Sequence, residues 1–338
     1  MKSKKTGTFR NIVCAMIRFR TLQITVLILG LCIVPLSAGG VKCADAKKVV
    51  FLAGADSHAF GAHEHIAVCN MLSDLLNTHH DNIVSIVYTD GWPDDPQIFE
   101  AVDAIVLYSD AGRPVVPNHI DNLGELMDEG VGLVIIHWAF PPHDRGAAEW
   151  LAWVGGNKER HWSVNPFWTL EDPVLGDHPV NRGVVPYSIR DEWYYHMRFR
   201  DNMEGVTPIM SAHPPASTLQ RRDGPYSNNP HVREAVLDRG EIQHVAWASE
   251  RDDGGRGFGF TGGHFLWNWG HPMFRRQVLN GIVWVAGAEI PGDGISVGEI
   301  TLNDLLVYKG ESVPEDFNLK VWENRINDWV GKYQPSEF

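Results

Sequence analysis

The sequence is poor in cysteine and in basic residues, and two common nucleotide-binding motifs are missing from its strand–helix units. Only four cysteines and 29 lysines and arginines stand among 338 residues, against 42 aspartates and glutamates. This excess of acidic residues disfavours binding to nucleic acid or to anionic membranes. Neither a G-x-G-x-x-G turn nor a P-loop opens a predicted helix, so the motifs do not support a nucleotide cofactor.

The first 46 residues have the pattern of a secretory signal peptide. A basic stretch precedes the apolar run 24–36, which is too short to span a bilayer comfortably, and Ala44-Asp45-Ala46 offers a cleavage site. We therefore expect an exported protein, periplasmic or extracellular, with no stable membrane embedding once the leader is cleaved. Retention of the leader as an N-terminal anchor stays open.

Without this leader the chain is still poorer in cysteine and in positive charge. The leader holds three of the four cysteines, seven of the 29 basic residues and one of the 42 acidic residues, which leaves 22 basic against 41 acidic residues. Cys69 alone remains, so an intramolecular disulfide is excluded, and we expect Cys69 in the core. All thirteen tryptophans remain, which suits a sugar-binding cleft and equally suits a packed core.

Apolar strand-like runs alternate with amphipathic helix-like segments after the leader. The predicted strands are 49–52, 83–88, 104–108 and 132–136, and the predicted helices are 64–77 and 118–128. This alternation is typical of an α/β fold, in which a doubly wound, mostly parallel sheet carries helices on both faces.

The second half of the chain continues this domain and then changes character. Segment 161–195 predicts short strands and long loops that cover the sheet. Further elements are the predicted strands 207–211, 243–249 and 257–261 and the predicted helices 272–286, 302–307 and 317–330. We expect one α/β domain over 47–290 and a C-terminal extension, 291–338, packed on the edge of that domain.

A loop rich in histidine follows the first predicted strand. His58, His63, Glu64 and His65 stand close together there, and loops at the carboxyl ends of parallel strands are where ligands bind in open α/β sheets. Imidazoles bind metals or transfer protons near neutral pH. We take His58 and His65 as the preferred ligands of a divalent metal such as zinc or manganese. The alternative is a hydrogen-bonded loop network in which Glu64 caps the helix.

Three further residues are candidates for catalysis. His137 directly follows the strand 132–136, and His264 follows paired glycines that let the backbone approach a ligand closely. Glu192 is the candidate general acid or base, because an aromatic surround can raise the pKa of a carboxyl group. The alternatives are a buried histidine bonded to backbone carbonyls and a solvated surface glutamate.

Aromatic residues beside these candidates could bind a substrate. The predicted substrate-binding residues are Trp138, Tyr194, Tyr195, Trp267 and Trp269. Trp138 would form an apolar wall beside His137, and a tyrosine could hydrogen-bond Glu192. Trp267 and Trp269 alternate along the chain and could form a platform on which a sugar ring stacks.

Eight sequence blocks together resemble the ThuA-like family of trehalose-utilisation proteins. They include GVGLVIIH at 130–137, DEWYY at 191–195 and LNGIVW at 279–284, and the others lie at 57–65, 161–163, 177–180, 244–247 and 257–269. Each block alone is weak, but their order and completeness over residues 48–289 make the resemblance specific.

The resemblance implies a flavodoxin-like sheet of the class I glutamine amidotransferase type, with a site at the carboxyl ends of the strands. In amidotransferases of this fold a cysteine nucleophile follows a central strand, whereas here His137 follows 132–136 and no cysteine lies nearby. Glutamine hydrolysis through a thiolate is therefore not expected. The family association implies sugar catabolism, particularly of trehalose-type and 3-keto-sugar substrates.

We therefore expect an exported enzyme that acts on a small-molecule carbohydrate, a keto-sugar or a glycoside. The reaction would be a proton transfer next to a carbonyl group, or a hydrolysis or isomerisation that depends on it, by histidine and glutamate chemistry or with the help of a metal. The alternative is a carbohydrate-binding or assembly component that keeps the fold without turnover. The oligomeric state is not predicted.

Overall fold

The computed structural model describes residues 46–140 and 146–333, and the predicted signal peptide lies outside the described residues. The strands are β1 Lys47–Ala53, β2 Ile83–Tyr88, β3 Ala104–Tyr108, β4 Gly132–Ile136, β5 Gly156–Asn157, β6 Trp168–Leu170, β7 Val174–Leu175, β8 Ile189–Asp191, β9 Arg198–Phe199, β10 Val206–Ala212, β11 Gln243–Glu250 and β12 Arg256–Phe260. The α-helices are α1 His65–His79, α2 Ile120–Asp128, α3 Ala147–Val154, α4 Pro230–Arg233, α5 Pro272–Val285, α6 Leu302–Lys309 and α7 Leu319–Tyr333.

Eight strands form the central sheet, in the order β2-β1-β3-β4-β12-β11-β10-β7. Neighbours from β2 to β12 are parallel, and those from β12 to β7 are antiparallel. The predicted fold class is confirmed: this is an α/β protein with a large, mostly parallel sheet. The central parallel strands β3 and β4 are continuous apolar runs that are buried throughout, as expected for strands covered on both faces.

Two hydrophobic cores cover the two faces of this sheet. Side chains alternate along each strand, so Phe51 of β1 belongs to one core and Leu52 to the other. Helices α1 and α5 pack on the first face and helices α2 and α3 on the second. Cys69 lies fully buried in the first core, where burial raises the pKa of its thiol.

The C-terminal segment packs on the side of the sheet that carries α1 and α5. Helix α6 contacts α1, and α7 contacts α5 and the turn Leu266–Gly270. Phe317 and Trp322 lie against the ring of Trp267. Within the described residues, no helix is both long and apolar enough to cross a membrane.

The parallel arrangement brings the loops after β1, β3, β4 and β12 to one edge of the sheet, because parallel strands end on the same side. The spacing of Gly257, Gly259 and Gly262 fits the letters G-x-G-x-x-G, but the first two lie inside β12. A Cβ atom on Gly259 would come within 2.3 Å of the ring of Trp247, so this glycine makes room for an indole rather than for a phosphate.

Candidate functional site

Four polar side chains from different parts of the chain converge at this edge of the sheet. They are His63 after β1, His137 after β4, Glu192 after β8 and His264 after β12. Each residue offers one nitrogen or oxygen atom, and these four atoms all lie within 4.8 Å of one another. The side chains are buried, with residue exposures between 0 and 8 %. We call these four residues the His/Glu cluster.

The contacts inside the His/Glu cluster form a closed ring. The Nε2 atom of His63 lies 2.9 Å from Nδ1 of His264 and 3.2 Å from Nε2 of His137. The Oε2 atom of Glu192 lies 3.4 Å from Nε2 of His137 and 3.2 Å from Nδ1 of His264. All four atoms therefore point at one small volume.

The backbone conformation of the loops aims the histidines inward. His63 and His137 have φ angles of +52° and +54°, in the left-handed region that non-glycine residues rarely adopt. Gly263, at φ +116°, turns the chain before His264. The carboxylate of Asp191 accepts hydrogen bonds from the backbone N–H groups of Gly263 and His264, and so joins the loops that carry Glu192 and His264.

Hydrogen bonds behind the His/Glu cluster fix its side chains. The Nδ1–H group of His63 donates to Oδ1 of Asp110 over 2.6 Å, and that of His137 donates to the carbonyl of Thr261 over 2.9 Å. The second carboxylate oxygen of Asp110 accepts from the hydroxyl of Ser57. Metal-binding histidines in proteins are held by a carboxylate or a backbone carbonyl in this manner.

These outer bonds decide which ring nitrogens face inward as acceptors. Since Nδ1 carries the proton in His63 and His137, the neutral rings present lone pairs at Nε2. Those two Nε2 atoms lie only 3.2 Å apart, with the Glu192 carboxylate beside them. Acceptors held so close repel one another unless a proton or a metal ion lies between them.

Burial and neighbouring groups shift the protonation of this site. Burial is the largest cause that lowers the pKa of His63, to about 3, although its hydrogen bond to Asp110 acts in the opposite direction. Burial alone would raise the pKa of Glu192, but His137 and His264 bring it below its ordinary value, because an imidazole that carries a second proton donates a hydrogen bond to the carboxylate and places a positive charge beside it. In Asp110 the bonds from His63 and Ser57 likewise outweigh burial, and its pKa falls to about 2.

An aromatic and cationic wall borders the His/Glu cluster. The ring of Tyr194 stacks on His137 with centroids 4.6 Å apart, and its hydroxyl lies 3.1 Å from Nε2 of His137. The Nζ atom of Lys158 lies 3.8 Å from the centroid of the same Tyr194 ring. The ring of Tyr194 is therefore in contact with both His137 and Lys158.

The structure brings several of the predicted site residues together. His137, Glu192 and His264, the predicted catalytic residues, all belong to the His/Glu cluster, and Tyr194 hydrogen-bonds to both His137 and Glu192. Trp138 lies beside the cluster, with its ring centroid 6.0 Å from that of His63.

The predicted metal ligands, His58 and His65, do not fall in one group of potential ligands: among the described residues His58 groups with His63 and Asp110, and His65 belongs to no such group. His65 begins α1, and its Nδ1–H group donates to the carbonyl of Ala55 below the cluster. The side chain of His58 is 41 % exposed and lies at the rim, where its ring covers that of His63 at a centroid distance of 3.8 Å. In the described chain no group of potential ligands contains both residues.

Three predicted substrate-binding residues also need correction. Trp267 and Trp269 are 1 % and 0 % exposed, so they cannot form a stacking platform. Trp267 packs between Phe60 and the C-terminal segment, and Trp269 packs against Phe274. Tyr195 is fully buried, and its hydroxyl pairs with Thr218. Their alternation along the chain reflects core packing.

Sequence reasoning missed two important residues and gave His63 no role of its own. Asp110 lies two residues beyond β3, and its position after a buried strand was a usable signal. Lys158 lies in a region without regular periodicity, and no sequence pattern points to it. Glu64, which neighbours His63, instead pairs with Lys309 away from the cluster.

The fold and the cluster together define an α/β protein with a histidine-rich polar site at the carboxyl edge of its sheet. The family model for ThuA, described as trehalose utilisation, matches residues 48–285, and the chain therefore belongs to the ThuA family. The predicted family resemblance is confirmed, and with it a general link to carbohydrate utilisation. No curated protein matches the chain.

Solved structures with a similar arrangement have low sequence identity. A ThuA-like protein from Bacteroides uniformis is 16 % identical, with a TM-score of 0.49, and the match covers 71 % of this chain and 91 % of that chain. A GMP synthase subunit from Thermoplasma acidophilum is 9 % identical, with a TM-score of 0.38 and coverages of 72 % and 94 %. PurLQS from Thermotoga maritima is 11 % identical, with a TM-score of 0.34 and coverages of 78 % and 99 %.

Proposed function

We propose that this protein is a metal-dependent enzyme of carbohydrate utilisation. It acts on a keto-sugar or a keto-glycoside by moving a proton at the carbon next to the carbonyl group. The observation that carries the proposal is the convergence of three imidazoles and a carboxylate within 4.8 Å, with two Nε2 lone pairs facing each other. The family link to trehalose utilisation supplies the substrate class.

The spacing of the four ligand atoms fits a single divalent ion. Nitrogen and oxygen ligands of zinc lie about 2.1 Å from the ion, so adjacent ligands in tetrahedral or octahedral geometry lie roughly 3.0–3.4 Å apart. The four contacts around the His/Glu cluster measure 2.9, 3.2, 3.2 and 3.4 Å. Three imidazoles and one carboxylate suit zinc or manganese.

A divalent ion in this position polarises a carbonyl oxygen and so acidifies the neighbouring carbon. The protein has to supply a group that takes the proton. His58 is placed for this task, because it lies at the open rim and its Nδ1 atom is 2.8 Å from the hydroxyl of Ser57. Ser57 in turn donates to Asp110, so a proton could pass along this chain of hydrogen bonds.

Elemental analysis of the purified protein tests the metal. We expect one zinc or manganese ion per chain, and its loss from the His137→Ala/His264→Ala variant. The matched control is His58→Ala, which changes a histidine at the rim and should keep the ion. Wild-type protein that binds neither ion after dialysis against each of them would contradict the proposal.

Proton exchange tests the reaction. In heavy water the enzyme should exchange the hydrogen next to the carbonyl group of a 3-keto-disaccharide, as followed by proton NMR, and His58→Ala should slow the exchange by about 100-fold or more. Binding of the sugar without exchange or turnover would support the non-catalytic alternative instead.

Export is a separate part of the proposal and rests on the predicted signal peptide. N-terminal sequencing of the protein recovered from outside the cytoplasm should begin near Lys47. An N-terminus at Met1 in membrane-bound material would favour a retained anchor.

A further inference from the structure

We propose that Lys158 and Trp138 form an oxyanion-binding pair that holds the negatively charged oxygen of an enolate beside the His/Glu cluster. The inference deepens the proposed function and rests on it for the identity of the ligand. It assigns a binding role to two donors that neither the family match nor the sequence motifs single out.

Lys158 is a buried cation held among aromatic rings. The residue is 4 % exposed, and its Nζ atom lies 3.8 Å from the ring centroid of Tyr194, 4.4 Å from that of Tyr226 and 5.4 Å from that of Trp138. Aromatic faces stabilise an ammonium group but accept no conventional hydrogen bond. The rings therefore hold the amine in place and leave its N–H groups available.

Within the part of the chain that the structure describes, both residues have N–H donors without an acceptor. Among the described residues, no hydrogen bond or ion pair joins the Lys158 amine to an acceptor. The indole Nε1–H group of Trp138 is buried and has no acceptor either. Buried donors without acceptors are costly, and native proteins retain them where a ligand supplies the acceptor.

Both residues contact rings that belong to the His/Glu cluster or pack on it. Trp138 directly follows His137 in the chain, and its ring stands edge-on to those of His58 and His63 at 6.2 and 6.0 Å. Lys158 contacts the same ring, that of Tyr194, as His137 does. A substrate carbonyl beside the cluster would bring its oxygen toward this pair.

The chemistry of the donors favours an anionic oxygen over a neutral hydroxyl. An ammonium group and an indole N–H donate but cannot accept in this arrangement, whereas a sugar hydroxyl both donates and accepts. An enolate oxygen needs only donors, and its charge compensates a cation in surroundings of low polarity. The pair therefore matches the charge that develops when a proton leaves the carbon next to a carbonyl group.

Oxalate is a suitable probe, because it is a planar dianion that resembles an enediolate. Isothermal titration with oxalate should show a 10- to 100-fold weaker affinity for Lys158→Met, the effect of losing a charge-assisted hydrogen bond, about 1.5–3 kcal/mol. Trp138→Phe keeps the ring and loses the N–H donor, and we expect a smaller loss, about threefold to tenfold. Lys320→Met removes a surface lysine that is 72 % exposed and should leave the affinity unchanged.

The metal content of each sample separates the two proposals. If the protein holds no ion but Lys158→Met still weakens oxalate binding, the metal proposal fails and the oxyanion pair stands. If an ion is present and Lys158→Met binds oxalate as tightly as the wild type does, the oxyanion pair is overturned. A variant that does not fold is replaced by Lys158→Gln, and Trp138→Phe gives an independent reading.

A covalent role for Lys158 is a distinct outcome. Incubation with dihydroxyacetone and borohydride would trap an imine between the amine and the ketone as a stable mass increase on the Lys158 peptide. Such an adduct would overturn the oxyanion-binding role, and an unmodified peptide is the expected result.

Discussion

Two buried lysines occupy contrasting surroundings in this molecule. The side chain of Lys309, at the end of α6, is 4 % exposed, and its Nζ atom lies 2.5 Å from Glu64 and 3.1 Å from Glu311. Lys158 is buried as a whole residue, and among the described residues aromatic rings replace the carboxylates around its amine. The amine of Lys309 joins two segments of the fold, whereas that of Lys158 lies over the ring of Tyr194, which packs on the His/Glu cluster.

The pKa values of these two amines shift in opposite directions. Burial alone lowers the pKa of Lys309, but its bonds to Glu64 and Glu311 raise it above the ordinary value. Burial lowers the pKa of Lys158 to about 7, and only the more distant charges of Glu192 and Asp110 oppose this. A lysine whose amine is paired with carboxylates is therefore a structural residue, whereas one whose amine lies among aromatic rings is a candidate for ligand binding.

The largest effect on stability should come from breaking the Lys309–Glu64 pair. Lys309→Met leaves the Glu64 carboxylate buried, and we expect the free energy of unfolding to fall by about 3 kcal/mol, the lower part of the range for such changes. Glu64 keeps the hydrogen bond from the backbone N–H of Gly61, which limits the loss. Urea denaturation of both proteins measures the difference.

The double variant Glu64→Gln/Lys309→Met is the control for this prediction. It removes both charges, so we expect it to regain at least half of the lost stability. A double variant no more stable than Lys309→Met would show that the loss comes from packing around Phe60, over whose ring Nζ of Lys309 lies at 5.1 Å, rather than from the charge.

Asp110→Asn should have the next largest effect, at the His/Glu cluster. Asp110→Asn weakens the hold on Nδ1 of His63, and loss of such an outer carboxylate lowers metal affinity about 10- to 100-fold. Competition with a chelator measures this. Asp103→Asn is the matched control, since Asp103 precedes β3 where Asp110 follows it, and its partner is Lys47. Equal losses in both variants would contradict a role of Asp110 at the cluster.

Much of the fold was accessible from the sequence, because buried parallel strands are continuous apolar runs. Three predicted strands, 83–88, 104–108 and 132–136, agree with the structure at both ends, and the predicted helix 272–286 agrees within one residue. Helix α3, Ala147–Val154, was missed, although its buried residues Trp150, Trp153 and Val154 have helical spacing, because a segment of eight residues gives only a short periodic signal.

The site was only partly accessible, because loop conformation and long-range contacts build it. The left-handed backbone of His63 turns its ring toward His264, 201 residues further along, and no local pattern reveals such a turn. From the sequence alone, His58 and His65 were therefore preferred over His63 as metal ligands. Trp267 and Trp269 were misassigned because the C-terminal segment, which covers Trp267, could not be placed on the domain from its sequence.

His271 is a buried ionisable group outside the His/Glu cluster, and it makes the stability of the fold depend on pH. Burial and the charges of Arg275 and Lys332 lower its pKa from 6.5 to about 3. The unfolded chain therefore binds a proton at a higher pH than the folded one. Its contribution to stability is complete above pH 6.5 and falls by about 1.4 kcal/mol per pH unit below that value, down to pH 3.

The variant His271→Asn isolates the contribution of His271 to the pH dependence of stability. Asparagine can still cap α5 by accepting from the N–H group of Met273, as Nδ1 of His271 does, but it does not titrate. Denaturation between pH 7 and pH 5 should therefore cost the variant less stability than the wild type, by about 2 kcal/mol. Parallel pH profiles for the two proteins would show that other histidines cause the acid sensitivity.

The smallest effect that we expect is that of Lys158→Met on stability. It is also the most informative, because Lys158→Met should raise the free energy of unfolding, whereas Lys309→Met should lower it. Lys158→Met makes the same chemical change as Lys309→Met, but it removes an amine that has no acceptor among the described residues. We expect the free energy of unfolding to rise by about 1 kcal/mol, since the desolvation of an unpaired ammonium exceeds what the aromatic faces return. A loss as large as that of Lys309→Met would mean that Lys158 stabilises the fold. A gain in stability together with weaker oxalate binding would show that the chain retains a destabilising cation for its ligand, as strained or unsatisfied groups at functional sites are retained in other proteins.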